Sequence, residues 1–168
     1  MIATSHVIIG GAAALATSVI TKNPAAALAV GVAAHLICDC LPHLDTPPNV
    51  KFRDDGEVIW DKSLYIFAII DSLVGFFAVL SIWWFRDHWS IFSVFAWGAF
   101  GGYLPDFLDN FPFWRDQIHS LPLFKQFHQF HKIIHNNWLK FYPMPRYWML
   151  GILTQIIVIV PSLWFLLK

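Results

Sequence analysis

Hydrophobic and polar positions along this chain fall into long blocks, with little alternation. Apolar runs occupy residues 1–20, 24–41, 63–85, 89–104 and 147–167, and polar residues concentrate in 42–61 and 110–146. The run at 63–85 reaches the roughly 20 apolar residues that cross a hydrocarbon core as a helix. The run at 89–104 is short for a span and is expected to begin in the interface at Trp89. Lys22-Asn23-Pro24 and Arg86-Asp87-His88 mark breaks between runs. Residues 121–138 show a different period. At 100° per residue, His128, His131 and His135 share an arc of about 60°, with Phe124 inside it and Lys125 and Lys132 on one flank. That pattern predicts an amphipathic helix lying in the membrane interface. Residues 50–60, centred on Asp55-Gly56, predict a small β-hairpin. The expected fold class is an all-α polytopic membrane protein. It comprises a single domain over 1–168 with about five transmembrane helices, one interfacial helix and a hairpin in the first long loop.

Composition and charge sharpen this picture. The chain is 57% hydrophobic and 13% charged, where soluble domains average about 25% charged residues. Its net charge of zero provides no basic surface for nucleic acid, so the expected partner is the lipid bilayer. The first run lacks a basic start and a convincing cleavage site, and is expected to be a retained helix. Cys38 and Cys40, one residue apart in an apolar run, read as small thiols outside any disulfide framework. Five spans would place Lys51, Arg53, Lys62, Arg115, Lys125, Lys132, Lys140 and Arg146 on one side, against Lys22, Arg86 and Lys168 on the other. The excess of cations predicts a plasma (inner) membrane protein with its N-terminus in the cytoplasm and its C-terminus outside.

The candidate chemistry sits at the ends of the apolar runs. His35 and Asp39 are four residues apart, so they stack on one helix face. His43 and Asp45 follow directly after Leu41-Pro42, and Leu104-Pro105-Asp106 with Asp109 repeats the arrangement. His131 and His135 have the spacing by which one helix face supplies two metal ligands, and His128 extends the stripe. With His6 near the chain start, all of these fall on the same side of a five-span arrangement. Asp71 lies a little over two turns inside the run at 63–85. A charged Asp at mid-bilayer costs roughly 2.5–3.5 kcal/mol or more, so a functional role is the default reading of such a residue. Asp71 can be read as a ligand, as a carboxylate orienting a histidine, or as a helix–helix hydrogen bond. His88 and His119 read as background.

These motifs carry a resemblance. Thr4-Ser5-His6-x-x-x-Gly10, Leu41-Pro42-His43-Leu44-Asp45-x-Pro47, Leu104-Pro105-Asp106-x-x-Asp109 and His131-Lys132-x-x-His135-Asn136 resemble the predicted membrane-bound metal-dependent hydrolases of prokaryotes. Gly31-x-x-x-His35-x-x-x-Asp39 matches a further element of that family, and is similar to the His-x-x-x-Asp element of zinc-dependent phospholipases C. The chain departs from the family in three ways. Its Gly-His-Asp helix comes early, His43 stands where the turn usually has an aspartate, and Lys132 and Asn136 replace an arginine and a serine.

The expectation that follows is a His/Asp site for one or two divalent metal ions, Zn2+ by its donor chemistry. Its ligands would come from His6, His35, Asp39, His43, Asp106, His128, His131 and His135. Asp45, Asp109 or Asp71 would act as general base or as an orienting carboxylate. The expected reaction is hydrolysis of an ester or phosphoester in a lipid-like or small-molecule substrate. The alternative is a non-enzymatic membrane protein, either a small cation or proton transporter or a metal-responsive interaction protein. Such a transporter needs polar groups along a whole route through the bilayer, whereas here they gather at one side.

Overall fold

The computed structural model describes residues 2–20, 22–43, 51, 59–85, 89–110, 114–136 and 144–168, with the backbone alone at 89–90, 135–136 and 144–148. Seven helices occupy the described residues: α1 (Ala3–Thr17), α2 (Pro24–Asp39), α3 (Lys62–Phe85), α4 (Trp89–Asn110), α5 (Arg115–His119), α6 (Pro122–Asn136) and α7 (Met144–Leu167). No strand occurs among the described residues. Most of the hairpin expected at 50–60 lies outside them, and Ile59 N–H donates to the Lys51 carbonyl at 2.8 Å across that segment.

Local chemistry accounts for several helix starts. The Asn23 side chain accepts the Ala25 N–H at 2.8 Å, and Pro24 occupies the first turn of α2, where a missing N–H costs nothing. Asp61 does the same for α3, accepting the Leu64 N–H at 2.9 Å. Where the Leu-Pro pair suggested a stop, α4 continues through Pro105 to Asn110. A buried apolar helix tolerates the lost bond because its neighbours re-satisfy freed backbone groups, and this extra turn carries Asp106 and Asp109.

At the centre of the fold, α1, α2 and α4 meet backbone to backbone. A Cβ added at Gly31 would lie 2.1 Å from the Gly98 carbonyl oxygen, and one at Gly102 would lie 2.2 Å from that of His6. One added at Gly101 would lie 2.3 Å from the Leu28 carbonyl oxygen. Small residues thus let three backbones approach more closely than any side chain permits. On the other side of α1, Ile8 and Ala12 pack with Ile82 of α3, Phe95 of α4 and Leu166 of α7.

Three helices are long and apolar enough to cross a membrane: Lys62–Phe85, Ile91–Asn110 and Met149–Leu167. The other two apolar runs expected to span, α1 and α2, are apolar but shorter. At 15 and 16 residues, α1 and α2 extend only about 22–24 Å, against a hydrocarbon core of about 30 Å. The missing length is at one end. The start of α1 is bound to Asp71, nine residues into α3, so α1 begins about 13 Å below the start of its longer neighbour. Residues such as Ile69, Phe76 and Phe77 on α3, and Ile156, Ile157 and Val160 on α7, are exposed. Apolar faces of this extent suit a lipid environment.

Candidate metal centre

The recessed ends of α1 and α2 place polar groups where the bundle is deepest. His6 lies one turn into α1, His35 and Asp39 close α2, and Asp106 sits on the last turns of α4. His131 enters from α6, the amphipathic helix, which packs across the end of α2. His6, His35 and Asp39 are fully buried, His43 and His131 almost so, and Asp106 retains 17% side-chain exposure.

Four imidazoles converge on Asp39 and Asp106. Asp39 Oδ2 lies 2.9 Å from His35 Nε2 and 3.1 Å from His131 Nε2. Asp39 Oδ1 lies 3.1 Å from His6 Nε2 and 3.7 Å from His43 Nε2. The Asp106 carboxylate stands 3.9 Å from each of the His6, His35 and His131 Nε2 atoms. The rings of His6 and His35 stack with centroids 3.8 Å apart. Adjacent ligands of a zinc-sized ion, each about 2.0–2.1 Å from it, are separated by roughly 3 Å. The spacing of these donors fits a shared cation. His6, His35 and Asp106, and likewise His35, Asp39 and His131, form groups that could hold one.

The outward nitrogens set the tautomers. His35 Nδ1–H donates to the Gly102 carbonyl at 2.7 Å, and His43 Nδ1–H to the Leu41 carbonyl at 2.6 Å. His131 Nδ1–H donates to Asp109 Oδ2 at 2.8 Å. In the neutral form each ring therefore turns its Nε2 lone pair inward, toward Asp39. His35 Nε2 and His131 Nε2 face each other across 3.2 Å, and both face a carboxylate. Lone pair against lone pair in a dry interior is repulsive, and a cation between them removes the conflict. His6 makes a related point from another side: its buried Nδ1 has no hydrogen-bond partner, and its Nε2 faces the Asp39 carboxylate at 3.1 Å.

Asp109 connects this centre to a second cluster. Its Oδ1 accepts from His119 Nε2 at 2.8 Å and from His128 Nδ1 at 2.7 Å, while Oδ2 holds His131. Sequence reasoning treated His119 as background. It lies on α5, a five-residue helix with no readable period, and the Trp114 indole N–H, bonded to the Phe107 carbonyl at 3.2 Å, helps set the turn that delivers it.

The other residues singled out from sequence lie elsewhere. Asp71 is turned away from the centre, and its carboxylate accepts from the Ala3 N–H at 2.5 Å and from the Thr4 N–H and hydroxyl at 3.2 and 2.6 Å. That is a helix cap supplied by a neighbouring helix, the third of the roles open to it. His135 lies on α6 one turn beyond His131, and its side chain is outside the described residues, as is the whole of Asp45. Cys38 is buried and Cys40 exposed, both as free thiols, and neither belongs to a group of potential metal ligands among the described residues.

The chain combines an all-helical fold carrying candidate membrane spans with buried His/Asp groups that could bind metal. Comparison with protein-family models, with curated proteins and with solved structures gives no match to it.

Proposed function

We propose that this protein is a membrane-embedded metal-dependent hydrolase that cleaves an ester or phosphoester bond in a lipid-like substrate. It belongs, on this reading, with the prokaryotic membrane hydrolases that its short motifs resemble. The observation that carries the proposal is the apposition of His35 Nε2 and His131 Nε2 at 3.2 Å, with the Nδ1–H of each already donated. All-nitrogen and oxygen donors suit zinc or another first-row divalent ion. His6, His35, Asp39, His43 and His131 would hold the ion, with Asp106 completing the set. A divalent ion so held supplies Lewis acidity, activating water and polarising a carbonyl or phosphoryl oxygen.

The chain's own groups divide the remaining work. Asp39 brings negative charge to the ligand cage and faces four histidines. Asp106 is the more open carboxylate of the centre, the ligand that an incoming water meets first. Asp109 holds His131 in the tautomer that presents Nε2, the usual duty of a carboxylate behind a ligating histidine. Burial beside exposed helix faces favours a substrate that arrives from the bilayer. The cation-rich side, which bears the centre, is read as cytoplasmic.

Metal analysis of the purified full chain in nanodiscs tests this reading. Wild type should retain a tightly held divalent ion through chelator washing, and the double variant His35→Ala with Asp39→Asn should lose it. Equal trace metal in both would remove the basis of the proposal. A panel of lipid phosphoesters and esters should then show turnover that depends on that ion.

A further inference from the structure

Asp109, His119 and His128 form a separate constellation. His128 Nδ1 and His119 Nε2 lie 2.7 and 2.8 Å from the same carboxylate oxygen, and the two rings lie 4.0 Å apart, tilted by 34°. Both nitrogens thus meet at Asp109 Oδ1, and the three donor atoms form a group that could hold an ion. Both imidazoles are 18% exposed, whereas the imidazoles of the buried centre are 0–1% exposed. Water can therefore fill remaining coordination positions, as it does in catalytic zinc sites with three protein ligands.

We propose that these three residues are a second, solvent-open site for a divalent cation, distinct from the buried centre and linked to it through Asp109. The site rests on its own donors and does not require the hydrolase reading. Its ion cannot share a bridging water with the first, because the His131 ring lies between them, with Nε2 on the Asp39 side and Nδ1 on Asp109. Such an arrangement differs from two-ion sites whose metals stand about 3.5–4 Å apart. Binding needs no net proton loss, since each neutral ring can carry its proton on the other nitrogen. What changes is Asp109. A cation on Oδ1 draws charge from the carboxylate and weakens its hold on the His131 Nδ1–H, which makes His131 a poorer donor to the buried centre. Filling the open site should therefore loosen the buried ion, and by linkage the reverse holds too.

Zinc and cobalt(II) titrations of the full chain in nanodiscs, read by elemental analysis and by cobalt absorption, decide the matter. Wild type should take up two equivalents, one resistant to chelator and one readily removed. The double variant His119→Gln with His128→Gln should lose only the labile equivalent, halving the bound metal while keeping the thermal transition of wild type. The double variant His6→Gln with His35→Gln should keep the labile equivalent. A single equivalent in wild type, lost only from the His6/His35 variant, would overturn the second site and leave the buried centre standing. A labile equivalent that survives in the His6/His35 variant alone, with no resistant ion in wild type, would do the opposite.

Discussion

The carboxylate of Asp71, on α3, closes the N-terminus of α1 by accepting the Thr4 N–H at 3.2 Å and the Thr4 hydroxyl at 2.6 Å, two residues ahead of His6. Orphan N–H groups at a helix start have no water to turn to in an apolar bundle, so a carboxylate from the neighbouring helix is an effective partner. It also fixes how deep α1 begins, and with it the depth of His6.

Replacing Asp71 with alanine therefore tests a structural role against a chemical one. The expected result is a loss of about 1–2 kcal/mol of stability, the scale of a lost helix cap, measured by thermal or denaturant unfolding in detergent. Bound metal at saturation should be unchanged. Lost metal with unaltered stability would move Asp71 into the site.

Gly102 is where packing and site geometry meet, since its carbonyl accepts from His35 and its Cα abuts α1. Gly102→Ala puts a methyl group 2.2 Å from the His6 carbonyl oxygen. Backbone atoms cannot swing aside, so α1 and α4 must part. Overpacking of this kind costs about 1–3 kcal/mol, and chelator competition should show weakened metal binding because His6 and His35 move together. Gly75→Ala is the control. Its nearest neighbour would be the Thr4 Cα at 3.3 Å, which requires only a small adjustment, and metal affinity should stay at the wild-type value.

Asp109 accepts from three imidazoles, and Asp109→Asn offers them one amide oxygen and an unwanted donor. The His131 ring would lose the partner that fixes its tautomer. Changes of this type behind a metal-ligating histidine lower affinity roughly 10–100-fold. Competition against a chelator of known affinity should find that loss at the buried centre, with its stoichiometry preserved at saturating metal. An unaltered affinity would show that the His131–Asp109 bond does not tune the site.

How much of this was legible in the sequence depends on the kind of interaction. His35 and Asp39 share a face by helical spacing alone, and the stripe carrying His131 is visible at 100° per residue. Gly31, Gly98 and Gly102 stand in the sequence, but nothing in their spacing says that they would form the crossing of α1, α2 and α4. The groups that set the tautomers were out of reach, because two of them are backbone carbonyls, at Gly102 and Leu41, and a carbonyl leaves no mark in composition. His119 was overlooked for a related reason: a five-residue helix has no period to read. Hydropathy counts five apolar runs without separating the three long helices from the two shorter ones, because it measures apolar length. It does not register that α1 starts partway down α3, at a level chosen by Asp71.

That offset bears on topology. Because α1 starts nine residues into α3 and packs through Ile8 and Ala12 on Ile82, its far end comes level with the end of α3. The turn after α1, with Val19 and Ile20 exposed, should therefore emerge on the side of Lys168. The α5–α6 region should lie on the opposite side, with the buried centre beneath it. Single cysteines at Val19, Ser120 and Lys168, introduced after replacing Cys38 and Cys40 with alanine, report this through a membrane-impermeant maleimide. In intact bacterial cells Val19→Cys and Lys168→Cys should be labelled from outside. Ser120→Cys should react only once the membrane is opened, because lysines and arginines concentrate on its side and such sides face the cytoplasm. Labelling of Ser120→Cys in intact cells would invert the orientation. Labelling of Val19→Cys and Lys168→Cys from different sides would show that α1 and α2 do not traverse the bilayer as a pair.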